Sequence, residues 1–403
     1  MRISTSRQII DIQPIHPFPA RMAPTIVWDN LPRNKKALRV LDPMAGSGTT
    51  LVSARARGFQ AIGCDTDPLA LLIARGWCSD IDPAKAKSLA NLVLDKATTL
   101  DSNTLPGDAY PSNMDLETRK FLDYWFDETN RCQLTALSSS ISRLDDSNEK
   151  TLLWCAFSRL IITKKSGVSL AMDVSHSRPH KKYEKAPVQA FDKFLRAVDY
   201  VTQKAPFVHD SGAPTVIIRQ ADARSLPFDS QSIDVVITSP PYLNAIDYIR
   251  GHKFTLVWMG HSIAELRALR SSNIGSERSG DTRETDQFSE VIERMVDVKL
   301  DHKHFQMVMN YVLDMNRVIS ECRRVLTKNG QAVFVIGDSN IGGVFVKNSE
   351  GLISLATRNG FALSGRVMRP LPVNRRYLPP PNLEKSGNSL QSRMREEVIL
   401  SFV

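Results

Sequence analysis

Short apolar runs alternate with helical segments near the start of the chain. Residues 37–44 form an apolar run, and residues 49–57 then have a helical composition. Residues 60–67 repeat the strand-like pattern, and Pro68 opens a second helical segment. Parallel strands that are buried on both faces give continuous apolar runs, and helices usually connect them. The pattern therefore predicts parallel βαβ units.

A mainly helical insertion interrupts this alternation. Residues 84–165 show helical periodicity with almost no strand signal. We therefore expect one α/β domain, built from residues 1–80 and 210–403, that carries a helical insertion over residues 81–209. Residues 262–302 form a second interruption, which is polar and rich in turn-forming residues, and we expect a mobile loop there.

Strand patterning returns in the second half of the chain. The strand-like runs are residues 215–223, 233–242, 331–339, 361–368 and 396–403. A long amphipathic helix is predicted over residues 304–326. The last two runs fit an antiparallel hairpin that closes a mostly parallel sheet.

Composition narrows the class of protein. The chain has 403 residues, of which 42% are hydrophobic, so a wholly disordered chain is excluded. No apolar run approaches the roughly 20 residues that a membrane-spanning helix needs. The first residues lack the continuous apolar core of a secretory signal. We therefore expect a soluble protein in the cytoplasm.

The five cysteines occur without any C-x-x-C pair, at positions 64, 78, 132, 155 and 322. Their odd number and wide spacing argue against a disulfide framework and against a zinc site. We expect free, mostly buried thiols and no bound metal.

Positive charge is concentrated in two segments of a chain whose net charge is +9. Residues 159–199 contain nine Lys and Arg against four acids, and residues 366–395 contain seven against one. Concentrated positive charge is typical of proteins that bind polyanions. Charge alone leaves two equal alternatives, a nucleic-acid partner and a solvated basic surface without one.

A glycine turn follows the first predicted strand. Residues 42–50 read DPMAGSGTT, in which Gly46 and Gly48 let the backbone approach a ligand closely. No Gly-Lys-Ser/Thr follows, so this is no P-loop, and Leu51 takes the third glycine position of a dinucleotide-binding loop. Asp65 ends the next predicted strand, where a carboxylate can accept hydrogen bonds from ribose hydroxyls. These features favour an adenosine ligand without a pyrophosphate, such as S-adenosylmethionine, over a plain tight turn.

A proline-rich tetrapeptide, Ser239-Pro240-Pro241-Tyr242, ends the apolar run that begins at Ile233. Consecutive prolines donate no hydrogen bond to a ladder, and they stiffen the exit of the strand. They would hold the tyrosine ring beyond the carboxyl edge of the sheet, where open α/β sheets bind ligands. Together with the glycine turn, this favours a functional site over a simple strand stop.

These motifs resemble those of the S-adenosylmethionine-dependent DNA amino-methyltransferases, which modify an exocyclic amine of cytosine or adenine. DPMAGSGTT resembles the cofactor loop of that family, GCDTDP its ribose-binding acid and TSPPY its catalytic tetrapeptide. HPFPARM, at residues 16–22, resembles the segment that closes over the cofactor, and QADARSLPF, at residues 220–228, the adenine contact. The matches lie in residues 1–75 and 210–403, in the order of family members that are not circularly permuted.

The resemblance implies a fold, a cofactor and a set of site residues. The implied fold is the Rossmann-like methyltransferase fold, a mostly parallel seven-stranded sheet with a C-terminal antiparallel hairpin, here with a large helical insertion. The implied cofactor is S-adenosylmethionine. The implied catalytic residues are Ser239, Pro240, Pro241 and Tyr242. The implied cofactor-binding residues are Phe18, Pro19, Arg21, Asp42, Pro43, Ala45, Gly46, Ser47, Gly48, Thr49, Thr50, Asp65, Thr66, Asp222 and Ala223.

Double-stranded DNA is the implied partner, and a cognate restriction endonuclease is a further candidate partner. We expect the insertion over residues 81–209 to be the DNA-binding or target-recognition region. The predicted DNA contacts lie in the two basic segments, and they are Ser177, Arg178, His180, Lys181, Lys182, Arg375 and Arg376. Exposed basic linkers are the alternative for both segments.

Ser239 favours cytosine N4 as the methylated amine. Family members with Ser before Pro-Pro usually act on cytosine, and those with Asp or Asn usually act on adenine. Adenine N6 of DNA and an amine of structured RNA stay open as alternatives, as does a regulator that binds cofactor and nucleic acid without chemistry. A cytosine-C5 enzyme is disfavoured, because it needs a cysteine nucleophile after proline and no Pro-Cys pair occurs.

Overall fold

Eleven strands are defined in the computed structural model, which describes residues 12–19, 21–33, 37–102, 109–164, 166–176, 179–209, 212–243, 247–275, 287–371 and 396–403. They are β1 (Arg39–Asp42), β2 (Gln60–Asp65), β3 (Ala171–Met172), β4 (His180–Lys181), β5 (Val216–Gln220), β6 (Ile233–Thr238), β7 (Leu326–Ile336), β8 (Ser339–Ile341), β9 (Val344–Val346), β10 (Leu363–Pro370) and β11 (Glu396–Phe402). Seven of these strands form one sheet, while β3 pairs with β4 and β8 pairs with β9.

The main sheet has the order β10-β11-β7-β6-β1-β2-β5. Neighbours from β7 to β5 run parallel, whereas β11 is antiparallel to both β7 and β10. The chain passes from β1 to β2 and β5 on one side, then returns to β6 and β7 on the other. The strand order therefore reverses between β1 and β6, where open α/β sheets bind their ligands. This topology confirms the predicted Rossmann-like fold with its C-terminal antiparallel pair.

Thirteen helices surround the sheet and form the insertion in the described residues. They are α1 (Pro24–Asn30), α2 (Thr49–Ala56), α3 (Pro68–Cys78), α4 (Pro83–Ser102), α5 (Leu116–Trp125), α6 (Glu128–Ser142), α7 (Asn148–Ile161), α8 (Ala190–Lys204), α9 (Tyr248–Leu256), α10 (Ile263–Ser271), α11 (Ser289–Met295), α12 (His302–Val325) and α13 (Asn348–Arg358). None of them combines the length and the apolar character that a membrane crossing needs.

Alternate residues of the central strands enter two hydrophobic clusters. Val40 and Val235 belong to one cluster, while Leu41 and Val236 belong to the other. Successive strand residues point to opposite faces, so the clusters cover the two faces of the sheet. The first cluster includes α3 and the insertion helices, and the second includes α11, α12 and α13. Both faces are covered, which explains the continuous apolar runs in the sequence.

The insertion packs on the sheet domain through α3. Gly76 of α3 lies so close to α7 that a Cβ there would be 2.7 Å from the Cys155 sulfur. The chain leaves and rejoins the sheet domain at one place, because Ile81 and Val208 form a parallel bridge. The predicted helical content of the insertion is confirmed, and its buried side chains share the cluster that covers one face of the sheet.

The expectation of one mobile loop over residues 262–302 needs correction. The helices α10 and α11 lie in this segment, on either side of residues 276–286, which are outside the described ranges. α10 begins with a capping box, in which the Ser262 hydroxyl accepts from the Glu265 N–H at 3.1 Å and the Glu265 carboxylate accepts from the Ser262 N–H. α11 buries Met295 against α13. This polar segment therefore contains two short helices, each of which buries one of its faces.

The cysteines are free thiols, and four of the five are buried, as predicted.

Candidate active site

The glycine turn joins the end of β1 to the start of α2. Gly46 has a φ of +49° and Gly48 a φ of +89°, a region that glycine enters without strain. The Gly48 N–H donates to the Ala45 carbonyl at 2.8 Å, which closes the turn. A Cβ on Gly48 would lie 3.0 Å from the Cβ of Ala74, so the turn lies directly against α3. Close packing of the turn and the helix thus requires glycine at this position.

Two hydroxyl groups in the turn, those of Ser47 and Thr49, are buried without a hydrogen-bond partner among the described residues. A buried hydroxyl without a partner is costly, and native proteins supply one from protein, water or ligand. A polar ligand that lies against the turn would satisfy both groups. The turn, which holds the predicted residues Pro43, Ala45, Gly46, Ser47, Gly48, Thr49 and Thr50, therefore fits a bound cofactor.

Two carboxylates flank this turn at the ends of neighbouring strands. Asp65 ends β2, and its carboxylate accepts hydrogen bonds from the N–H groups of Gly46 at 2.8 Å and Asp67 at 2.9 Å. Asp42 ends β1 and is 3% exposed. Thr66 is half-buried beside Asp65. A carboxylate has about four acceptor positions, so Asp65 keeps capacity for two ribose hydroxyls.

Burial raises the pKa of both carboxyl groups. The pKa of Asp42 rises to about 6, although the neighbouring Thr238 and Thr50 hydroxyls act to lower it. The pKa of Asp65 rises to about 7, because burial and the negative charges of Asp67 and Asp42 outweigh its two backbone hydrogen bonds. A nearby cation would favour the ionised forms. The site therefore suits a positively charged sulfonium cofactor better than an anionic dinucleotide.

The N-terminal segment reaches the same turn. The Phe18 ring lies 3.4 Å from the position that a Cβ on Gly46 would take. Pro19 is buried, and the Arg21 guanidinium lies 5.8 Å from the centroid of the Trp77 ring in α3. The structure thus brings Phe18 to the glycine turn, across a sequence separation that only tertiary folding closes.

Two buried histidines behind Phe18 were not predicted from the sequence. His252 of α9 has its Nδ1 2.5 Å from the Asp67 carboxylate, and its ring centroid is 5.2 Å from that of Phe18. His16 has its Nε2 2.9 Å from the Ser158 hydroxyl of α7. The other ring nitrogens, His16 Nδ1 and His252 Nε2, have no partner within the described ranges. These contacts join residues 142 and 185 positions apart, so no local motif signals them.

The tetrapeptide begins directly after β6, the strand beside β1. The Thr50 hydroxyl donates to the Ile237 carbonyl at 3.2 Å, which ties the start of α2 to the end of β6. Asp42 lies close enough to Thr238 for that hydroxyl to lower its pKa. The structure therefore brings the glycine turn and the tetrapeptide together, at the point where the strand order reverses.

The tetrapeptide lies between solvent and the second hydrophobic cluster. Ser239 is partly exposed, and the half-buried Tyr242 packs against that cluster. Tyr311 of α12 lies near Tyr242, and burial together with the charge of Tyr242 raises its pKa. The buried Tyr311 hydroxyl has no hydrogen-bond partner among the residues that the structure describes. Sequence reasoning missed Tyr311, because one tyrosine on an amphipathic helix gives no distinctive signal.

The predicted adenine contact, Asp222, follows β5 at the same edge of the sheet. The Ala221 N–H donates to the Asp65 carbonyl at 3.1 Å, which holds the two strand ends together. The Asp222 carboxylate accepts hydrogen bonds from the Arg224 side chain at 2.6 to 3.1 Å. Burial would raise the pKa of Asp222, but Arg224 holds it below its usual value. Asp222 is therefore ionised and already engaged, and Ala223 beside it is buried.

Four of the seven predicted DNA contacts lie outside the described ranges, and the other three lie in β4 or directly after it. Ser177, Arg178, Arg375 and Arg376 are outside those ranges. Lys181 and Lys182 are exposed, and the Lys181 ammonium lies 4.6 Å from the centroid of the Tyr124 ring in α5. His180 precedes them in β4.

No protein-family model matches the chain. It is 23% identical over 365 residues to Type II methyltransferase M.MvaI of Kocuria varians, and the alignment covers 81% of this chain and 76% of the relative. It is 22% identical over 374 residues to Type II methyltransferase M.AvaI of Nostoc sp., over 82% and 75% of the two chains. Type II methyltransferase M.MjaII of Methanocaldococcus jannaschii is 22% identical over 386 residues, and the alignment covers 75% of this chain and 71% of that relative.

The resemblance to the DNA amino-methyltransferases is confirmed. The cofactor that this resemblance implies is S-adenosylmethionine, and the acid-flanked turn with its two unpartnered hydroxyls fits it. Among solved structures, a TehB-like SAM-dependent methyltransferase from Corynebacterium glutamicum is 9% identical, over 94% of this chain and 86% of that one, with a TM-score of 0.30. This structural likeness is weak, and the strand order of the main sheet is what shows the fold.

Proposed function

We propose that the chain transfers a methyl group from S-adenosylmethionine to the exocyclic N4 amine of a cytosine in double-stranded DNA. The observation that carries this proposal is the meeting of the glycine turn and the Ser-Pro-Pro-Tyr segment between β1 and β6. The enzyme would act in a restriction-modification system or as a stand-alone modification enzyme. Its DNA substrate would place it in the cytoplasm of a bacterial or archaeal cell.

The proposed chemistry must overcome the poor nucleophilicity of the target amine. The lone pair of an exocyclic amine is delocalised into the ring, and bound S-adenosylmethionine supplies an electrophilic methyl group. The Ser239 hydroxyl and the Pro240 carbonyl would accept hydrogen bonds from the two N–H groups of the amine, while the Tyr242 ring stacks on the base. Serine is a weak base at neutral pH, so its proposed role is orientation rather than proton abstraction. Most of the acceleration would come from this positioning.

On the cofactor side, the proposed ligands are the residues around the glycine turn. Asp65 would accept hydrogen bonds from the ribose hydroxyls, and Asp222 would contact the adenine. Phe18 would cover the cofactor from the N-terminal segment, since its ring already lies against Gly46. The negative charges at this edge would stabilise the sulfonium.

The target amine is paired inside a duplex, so the base must leave the stack before it can react. Flipping costs a few kcal/mol of stacking and pairing. Contacts between lysine or arginine and phosphates would offset this cost and make binding salt-dependent. Lys181, Lys182 and the neighbouring His180 are the described members of the predicted DNA-contact set, and all three are exposed.

Incubation with tritiated S-adenosylmethionine separates the proposal from its alternatives. Duplex genomic DNA from a strain without endogenous methylation and total RNA are offered in parallel, with Ser239→Ala as the control protein. The proposal requires label in DNA that is lost in the control. Label in RNA alone would support an RNA amino-methyltransferase. Tight DNA binding without any label would support a cofactor-binding regulator instead.

A further inference from the structure

A group of cationic side chains lies on α9 and α10, directly after the tetrapeptide in the chain. Arg250 and Lys253 belong to α9, which begins six residues after Tyr242, and Arg267 and Arg270 belong to α10. The three arginines are exposed, with relative side-chain exposures of 50%, 63% and 53% in sequence order. These four residues are called the α9–α10 cationic surface below.

Cations of the two helices share one surface, because Asp247 lies within ion-pair distance of both Arg250 of α9 and Arg270 of α10. Burial lowers the pKa of Lys253, and the positive charges of Arg270, Arg250 and Arg267 lower it further, against an opposing effect of Asp247. Neighbouring positive charges repel one another, and an approaching anion would lower this repulsion energy. The cluster therefore attracts negatively charged groups.

Two acids oppose the four cations. The Asp247 carboxylate lies 2.6 Å from the Arg270 guanidinium and 3.4 Å from that of Arg250. Glu117 of α5 pairs with Arg267. Even with the exposed Glu265 of α10 counted, the surface keeps an excess of positive charge, and exposed pairs of this kind contribute little stability by themselves. Their arginines can exchange a carboxylate for a phosphate at small cost.

The surface continues through aromatic residues to the predicted DNA-contact strand β4. The Lys253 ammonium lies 5.1 Å from the Phe121 ring centroid in α5, and the Lys181 ammonium lies 4.6 Å from that of Tyr124, also in α5. Tyr124 is 53% exposed. Basic groups and aromatic rings thus follow one another from β4 across α5 to α9.

We propose that the α9–α10 cationic surface of Arg250, Lys253, Arg267 and Arg270 binds phosphates of duplex DNA beside the Ser-Pro-Pro-Tyr segment. The inference rests on the proposed function, since it names the part of that substrate which this surface holds. The phosphates would lie next to the reacting base, because α9 follows the tetrapeptide after a short connection. This surface would add to the contacts of β4, and neither basic segment of the sequence analysis contains it.

The test measures affinity for a non-specific duplex as a function of salt. Arg250→Gln, Arg267→Gln and Arg270→Gln are made singly and together, and Lys328→Gln is the matched control. Lys328 is exposed at the amino end of β7, the opposite edge of the sheet. Thermal unfolding and S-adenosylmethionine affinity confirm that each variant is folded.

Each lost phosphate contact should lower the slope of log affinity against log salt by about 0.9. The slope for the triple variant should therefore be smaller in magnitude by about two to three. Its affinity for DNA at moderate salt should fall roughly 10- to 100-fold. Its KM for DNA should rise while kcat stays the same. Lys328→Gln should match the wild type.

Three results would overturn the inference. If the wild type methylates DNA and the triple variant has the same salt slope and the same KM for DNA, this surface does not contact DNA. A larger loss with single-stranded or structured RNA than with duplex DNA would assign the surface to RNA. A loss of S-adenosylmethionine affinity would give it a structural role. By contrast, a wild type that transfers no methyl group to DNA would count against the proposed function rather than against this surface.

Discussion

The two sides of the strand reversal are built differently. On the β1–β2 side, the glycine turn is closed by backbone hydrogen bonds, and Asp65 fixes it through the Gly46 N–H. On the β6 side, two prolines stiffen the chain, while the Tyr311 hydroxyl is buried without a partner in the described residues. The first side is preformed for one invariable ligand. Both sides leave buried hydroxyls without a partner among the described residues, those of Ser47 and Thr49 on the first side and that of Tyr311 on the second. The difference therefore lies in the backbone, a hydrogen-bonded glycine turn on one side and a proline-stiffened strand exit on the other.

Ser239→Ala should have the largest effect, and only on the base side. Loss of the orienting hydroxyl should lower kcat by about 100-fold, since misplacement of a reacting group by a small distance has that effect. Affinity for S-adenosylmethionine, measured by calorimetry, should not change. Ser232→Ala makes the same change at the opposite end of β6, next to the start of that strand, and should be silent. Full activity in Ser239→Ala would remove the tetrapeptide from the reaction.

Asp65→Ala should have the next largest effect, on the cofactor side. A hydrogen bond to a charged group contributes about 1.5–3 kcal/mol, so the Kd for S-adenosylmethionine should rise about 10- to 100-fold. Asp234→Ala is the matched control, because Asp234 also accepts a backbone N–H, that of Arg39, but lies toward the amino edge of the sheet. An unchanged Kd for Asp65→Ala would exclude Asp65 from the cofactor site.

A change of pH should alter cofactor affinity by less than the substitution of Ser239 alters kcat or that of Asp65 alters cofactor affinity. Burial raises the pKa of Asp65 to about 7, so the carboxyl group becomes neutral below that pH and loses its attraction for a cation. Affinity for S-adenosylmethionine should therefore fall about tenfold between pH 8 and pH 6. Asp65→Asn should bind weakly at both pH values and lose this step. A flat profile in the wild type would contradict the charge assignment.

Gly48→Ala compared with Gly58→Ala should give the smallest effect. Both glycines have a φ above +80°, so both changes introduce left-handed strain of about 1–2 kcal/mol. A Cβ on Gly48 would also be 3.0 Å from the Ala74 Cβ, whereas one on Gly58 would meet nothing within 4 Å. Chemical unfolding should show that Gly48→Ala loses roughly 1 kcal/mol more than Gly58→Ala. Equal losses would mean that the turn and α3 can separate freely.

The sequence predicts the parts of this site that local patterns encode. A strand that ends in an acid, a turn that needs glycine and a strand stopped by prolines are contiguous in the chain, and Asp65, Gly46 and Ser239 were identified in that way. Their meeting at one edge follows from the parallel order of the strands. The predicted topology was therefore enough to bring these motifs together.

Other parts of the site depend on contacts that no local pattern encodes. The pairing of His252 with Asp67 joins residues 185 positions apart, and Asp67 alone reads as an ordinary helix cap. The proposed surface on α9 and α10 was not predicted from the sequence, because its charges lie outside both basic segments. The short helices α10 and α11 were missed because each buries few residues, so composition outweighed periodicity.

Nucleoside analysis by mass spectrometry is the most direct test of the central claim. Unmethylated duplex DNA is incubated with the wild-type protein and S-adenosylmethionine, then digested to nucleosides. If the Ser-Pro-Pro-Tyr segment orients a cytosine amine toward the methyl donor, N4-methylcytosine must appear, and the Ser239→Ala variant must produce almost none. N6-methyladenine in its place, or DNA without any new methylated base, would contradict that claim.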